Sequence, residues 1–159
     1  MKLSTRARYG TRAMLDVALQ CGEGPVHLKD IARRQEVSKK YLEHLTSRLE
    51  AAGLLRIIRG AGGGISLARP ASEIKLSQIF QTLEGPIALV GCVDNPQWCP
   101  RSSRCATRDI WMQMGQLLRA FLESETLEDL CCQQREKEQQ RHSPSTTPST
   151  TGPGNQGRR

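Results

Sequence analysis

Apolar residues recur at helical spacing through the first third of this 159-residue chain, and each such run is bounded by capping or breaking residues. Ser4 is placed to cap a helix running to about Cys21, in which Ala13, Met14, Val17 and Ala18 share a face. Gly22 stops it, and Glu23-Gly24-Pro25 breaks the chain. A short helix over Lys29 to Gln35 follows, burying Leu28, Ile31 and Ala32. After the turn Gln35-Glu36-Val37, Ser38 caps a third helix from Lys39 to about Ala52, closed by Gly53. Leu42, Leu45 and Leu49 form its apolar stripe, while Lys39, Lys40, Glu43, His44 and Arg48 point elsewhere. The period then changes. Leu54 to Arg59 and Ile65 to Ala68 are β-rich runs separated by Gly60-Ala61-Gly62-Gly63-Gly64, the pattern of a hairpin. Three helices followed by a hairpin is the order of a winged helix-turn-helix.

Pro70 ends that unit, and a short helix from Ser77 to Glu84 closes at Gly85-Pro86. The strongest helical periodicity lies from about Ala106 to Glu123. Ile110, Met114, Leu117 and Phe121 line one face there, widened by Trp111, Leu118 and Leu122. A stripe of that width has to be covered, either by its own domain or by the same helix of a second subunit across a two-fold axis. The second solution suits a small winged helix better. A charged helical piece from Thr126 to about Gln140 leads into a tail of Ser, Thr, Pro, Gly, Asn, Gln and Arg, a composition that predicts disorder. The expected fold is therefore mainly α. It comprises a winged helix-turn-helix over 1–69, a connecting helix and linker over 70–91, a cysteine segment over 92–105, a dimerisation helix and helical piece over 106–140, and a disordered tail over 141–159.

Charge sharpens the picture. The net charge is +7, and residues 1–69, with 13 Lys and Arg against 6 Asp and Glu, hold all of the excess. A basic helical domain predicts a polyanionic partner, double-stranded DNA above all. No stretch approaches the length of a membrane span, and the N-terminus lacks the apolar core of a signal peptide. The expectation is a cytoplasmic protein with no membrane partner. Only His27, His44 and His142 are present, without a nucleophilic arrangement or nucleotide fingerprint, which argues against an enzyme.

In a helix-turn-helix the second helix of the pair enters the major groove. Ser38, Lys39, Tyr41, Glu43 and His44, near the start of the third helix, are the candidates to meet bases or phosphates. Arg59 and Gly60 open the wing, where an arginine fits a narrow minor groove and glycines let the backbone approach closely. The glycine loop does not read as a nucleotide site. It lacks the Gly-Lys-Ser/Thr ending of a P-loop and joins strand to strand.

Cys92, Cys99 and Cys105 lie in one stretch, Cys-Val-Asp-Asn-Pro-Gln-Trp-Cys-Pro-Arg-Ser-Ser-Arg-Cys. In a reducing compartment, clustered cysteines favour metal binding or redox chemistry over structural disulfides. The short paired spacing of zinc modules is absent, and the wider spacing suits a loop around an iron–sulfur core. Three unligated thiols are the plain alternative. Cys21 reads as a packing residue at a helix end, and the adjacent Cys131 and Cys132 as structural or incidental.

Several segments together resemble the Rrf-type transcriptional regulators, the group with IscR-like and NsrR-like members. They are Lys2 to Gly10, Ala13 to Leu19, Asp30-Ile31-Ala32, Tyr41-Leu42-Glu43, Arg59-Gly60-x-Gly62-Gly63-Gly64 and the three-cysteine stretch before Trp111. The resemblance covers about residues 1 to 135. It implies a homodimeric winged-helix regulator of a palindromic operator, in which Cys92, Cys99 and Cys105 hold a [2Fe-2S] or [4Fe-4S] cluster whose state adjusts promoter binding. IscR-like members carry a histidine three residues after the third cysteine, where this chain has Arg108. NsrR-like members use an aspartate of the partner's first helix, where this chain has Arg8. Asp109, Asp94, an exogenous thiol or water remain as fourth ligands. Two other readings stand beside this one: a metal-free regulator responding by thiol oxidation, and an iron–sulfur accessory protein that does not bind DNA.

Overall fold

The computed structural model describes residues 3–22, 24–60 and 62–142. Its elements run α1 (Thr5–Leu19), α2 (Leu28–Gln35), α3 (Lys39–Ala51), β1 (Leu55–Ile58), β2 (Gly64–Leu67), α4 (Leu76–Glu84), α5 (Gly91–Asp94), α6 (Ala106–Ser124) and α7 (Leu127–His142), with short 3-10 turns between. The order is that of a winged helix-turn-helix with a long helix appended. The strands pair antiparallel, Leu55 opposite Leu67 and Ile58 opposite Gly64.

The expected caps form. Ser4 accepts a hydrogen bond from the Ala7 amide and Ser38 one from the Tyr41 amide, each satisfying a donor that the first helical turn leaves open. The apolar stripes meet in a single core: Ala13, Met14, Val17, Ile31, Leu42, Leu45, Leu49, Leu54, Leu55 and Ile65 are buried together. That core does not stop at residue 69. Ile74, Ile79, Leu83, Leu122, Leu127 and Cys131 belong to it, so the connecting helix and the C-terminal helices complete the winged helix rather than hang from it. α1 and α4 approach closely at Gly10, where an added Cβ would sit 2.3 Å from Leu83 Cδ1. Buried Asp16 is held by Arg34 Nε at 3.0 and 3.1 Å, with Gln35 Nε2 donating at 2.8 Å, which ties α1 to α2.

α6 spans nineteen residues, about 28 Å at 1.5 Å per residue. Leu122 is buried and Leu118 half-buried against the core, but Ile110, Trp111, Met114, Leu117 and Phe121 are 52, 38, 46, 72 and 58 % exposed. Most of the stripe thus projects away from its own domain. α7 turns back onto α1, its start fixed by a reciprocal cap: the Thr126 amide and hydroxyl donate to Asp129 Oδ2 and the Asp129 amide donates to Thr126 Oγ1. These bonds hold the Asp129 carboxyl below the usual carboxylate range. The helix continues to His142, beyond the expected end at Gln140, because its Glu, Gln and Arg residues are good helix formers. The rest of the expected tail, residues 143–159, lies outside the described residues. No helix among the described residues is long and apolar enough to cross a membrane.

Candidate nucleic-acid interface and cysteine segment

The start of α3 and the hairpin, which carry the candidate DNA-contacting residues, lie against one another. Lys39, Glu43, Thr46 and Ser47 on α3 face Ile57, Ile58, Gly63 and Gly64 of the hairpin across a groove of about 320 Å³, with His27 at its edge. Lys39 and Glu43 are exposed and pair at 3.7 Å along the helix, and His44 is exposed beside them. Ser38 is exposed but already engaged as a cap. Tyr41 differs from the expectation of a free reading residue. It is half-buried, edge-on to Tyr9 with ring centroids 6.3 Å apart, so part of its ring is covered by α1. Arg8 and Arg12 flank the Tyr9 ring at 5.0 and 5.5 Å. Two arginines of α1 therefore join the basic surface next to α3. Their charge was readable in the sequence, but their position depended on packing between helices far apart in the chain.

Arg59 and Gly60 are exposed at the end of β1. Gly60 and Gly62 take φ of 99° and 78°, a region open to glycine, and a Cβ on Gly63 would lie 2.3 Å from the Ile58 carbonyl oxygen. The tight wing needs these glycines, and it leaves Arg59 projecting from a narrow tip.

The cysteine segment is not one open loop. Gly91–Asp94 forms a short helical turn, followed by 3-10 turns at Pro96–Trp98 and Ser102–Arg104. Cys92, Cys99 and Cys105 are half-buried free thiols. Cys105 sits at the N-cap of α6. Its thiol is drawn down from the ordinary cysteine range by a hydrogen bond with Thr107 Oγ1 at 3.1 Å and then by the Arg108 amide, as expected for a thiolate at a helix N-terminus. Arg108 does not face solvent: its Nε donates to the Cys92 carbonyl at 2.9 Å and its Nη2 reaches the Val93 carbonyl more weakly at 3.5 Å, closing the base of the segment. Trp98 packs over Gly91, where a Cβ would come within 3.0 Å of the ring. Three soft thiol donors on one segment suit an iron–sulfur cluster chemically. Among the described residues, however, no three His, Cys, Asp or Glu side chains are gathered to hold a metal ion.

Cys131 is buried on α7 and Cys132 exposed, so the two face different ways as their adjacency on a helix requires. Cys21 corrects its expectation. It is exposed in the turn after α1 instead of packed, because the helix ends at Leu19 and the chain turns outward at Gly22.

A winged helix with a basic recognition face and an appended long helix defines a DNA-binding transcriptional regulator. The chain belongs to the Rrf2 family, whose description is iron-dependent transcriptional regulator and whose sequence model matches residues 3–133. It is similar to the protein rrf2 of Nitratidesulfovibrio vulgaris, 44% identical over 130 residues that cover 82% of this chain and 87% of that one. Among solved structures it resembles T. potens IscR, at TM-score 0.72 and 37% identity over 87% of this chain and 91% of the other. It also resembles CymR, the global cysteine regulator of B. subtilis, at TM-score 0.71 and 39% identity over 83% and 97%.

Proposed function

We propose that this chain acts in the cytoplasm as a homodimeric regulator that binds a palindromic operator and is controlled by an iron–sulfur cluster on Cys92, Cys99 and Cys105. Lys39, Glu43 and His44 read the major groove, Ser38 and Tyr41 position the helix start, and Arg59 with Gly60 follows the minor groove. The observation that carries the regulatory part is how the cysteine segment is connected. Arg108 bonds its backbone to α6, and the chain before it leaves directly from α4. α4 in turn accepts Arg48 of α3 at the Thr82 carbonyl, at 2.8 Å, and Ser77 of α4 hydrogen-bonds Glu123 of α6. The recognition helix, the dimer helix and the thiols thus share one bonded frame.

When bound, the cluster supplies iron–thiolate bonds that hold three points of the segment together. The chain's own part is mechanical. Arg108 holds the Cys92 and Val93 carbonyls against the start of α6, so a group held by Cys92, Cys99 and Cys105 would act on α6 through that contact. Across a two-fold axis such an action would set the spacing of the two recognition helices, and with it operator affinity.

Anaerobic purification followed by visible absorbance tests the ligand set. Cys99→Ala should abolish the absorbance, and Mössbauer spectra of the wild type should then give the cluster type. Absorbance surviving in each of Cys92→Ala, Cys99→Ala and Cys105→Ala contradicts the assignment. The scattered thiols favour a second reading, a metal-free regulator that responds by thiol oxidation. Iron-free protein whose promoter binding changes with peroxide would select it.

A further inference from the structure

Val26 and Ile65 exchange two backbone hydrogen bonds, each at 2.8 Å, which tie the chain before α2 to the second strand of the hairpin. The next residue, His27, begins α2: its carbonyl accepts from the Asp30 and Ile31 amides at 3.0 and 3.2 Å. Hairpin and helix thus fix His27 from both sides. It is exposed, its imidazole does not cap α2, and it borders the groove of about 320 Å³ between α3 and the hairpin. Exposed Lys39 and Ser47 of α3 share that groove, and the wall opposite is bare of side chains at Gly63 and Gly64.

The form of duplex DNA determines what such a groove meets. One sugar-phosphate strand separates a major groove from the neighbouring minor groove. A protein with α3 in the first and the Arg59 wing in the second must seat that strand between them. The inference rests on the assignment of α3 and the wing to those two grooves.

We propose that this groove seats one DNA phosphate per subunit and that His27, together with Lys39 and Ser47, binds it. The imidazole and the Ser47 hydroxyl donate to phosphate oxygens, and Lys39 adds its charge. The contact reads no base; it fixes the register of α3 on the duplex. Among the described residues Glu43 is the one carboxylate that lines the groove, and it pairs with Lys39 at 3.7 Å. On α2, Lys29 and Asp30 follow His27, with Asp30 held by Arg33 at 3.3 Å. The hairpin residues that line the groove, Ile57, Ile58, Gly63, Gly64 and Ile65, have no ionisable side chain. Histidine exchanges its proton in the physiological range, and a phosphate within hydrogen-bond reach favours the charged form. DNA binding therefore takes up a proton at His27, and operator affinity rises as pH falls.

Fluorescence anisotropy of anaerobically purified full-length protein on a selected high-affinity duplex tests this, at constant ionic strength near pH 6 and near pH 8. His27→Gln, at an exposed position, keeps a donor and removes the charge. It should weaken binding about tenfold near pH 6 and less than about twofold near pH 8, which flattens the wild-type pH dependence. Near pH 6 the slope of log affinity against log salt should fall by about one for each subunit. His44→Gln, which removes the exposed histidine of α3, should keep the wild-type pH dependence. A pH dependence that is the same in His27→Gln as in wild type, or that His44→Gln removes, overturns the proposal; weakened binding by Arg59→Ala then leaves α3 and the wing on DNA. If Arg59→Ala and Lys39→Gln both bind as the wild type does, the groove does not face DNA, and the underlying assignment falls with the proposal.

Discussion

Leu117 is the most exposed of the large apolar residues on α6, at 72 %, and a two-fold contact along that stripe would bury it twice. Full burial of a leucine side chain contributes roughly 2 kcal/mol. The exposed 72 % of Leu117 therefore corresponds to about 1.4 kcal/mol in each subunit and about 3 kcal/mol in a dimer. Leu117→Ala keeps the Cβ, so a dimer dissociation constant about 30- to 100-fold weaker is expected, since each 1.4 kcal/mol is tenfold. Sedimentation equilibrium over a broad concentration range measures it directly. Far-UV circular dichroism and the unfolding temperature of the monomer should barely move, because the side chain makes little contact within its own domain. A shift below threefold, or a wild-type protein that remains monomeric at high micromolar concentration, would refute the assignment of this face to a second subunit.

Other perturbations probe the frame and the site. Gly10→Ala drives a methyl into Leu83 and should cost about 1–3 kcal/mol, read as a lower unfolding midpoint in urea and partly restored by Gly10→Ala with Leu83→Val. Glu36 holds φ 54° at the end of α2, so Glu36→Gly should stabilise the protein by up to about 1 kcal/mol in the same assay; a loss would show that the side chain does more than tolerate the turn. In metal-free protein, Cys105 should react with iodoacetamide with a pH midpoint below that of an ordinary thiol. The thiolate is the reactive form and its protonation is disfavoured by Thr107, so Thr107→Ala should move the midpoint upward. Arg59→Ala should weaken operator binding and lower the slope of log affinity against log salt by about one, leaving the sedimentation behaviour unchanged.

The capping serines, the helical stripes and the glycine wing were legible because each depends on residues within one or two turns. Ser4, Ser38, Leu42, Leu45 and Leu49 all take the roles that their spacing predicts. What escaped the sequence depends on contacts between distant segments. Tyr41 is partly covered by Tyr9 from another helix, and Arg8 and Arg12 lie beside the start of α3 by the same packing. Arg108 is the sharpest case. In the sequence it is a basic residue where a ligand is expected; in the fold it hydrogen-bonds the Cys92 backbone and so belongs to the segment that carries the thiols. Cys21 escaped for a simpler reason, since the helix ended two residues before it and turned it outward.

Control of DNA affinity by the three thiols of the segment, through the hydrogen bonds that join it to α3 and α6, is the proposal on which the regulatory role rests. Its most direct test is an anaerobic fluorescence-anisotropy titration of a selected high-affinity duplex with wild-type protein, before and after removal of its iron by chelation, and with Cys99→Ala. Iron removal should change the wild-type dissociation constant at least tenfold. Cys99→Ala should match the iron-free value and not respond to chelation. Equal affinities for all three preparations, with the wild type carrying its full iron, would contradict it.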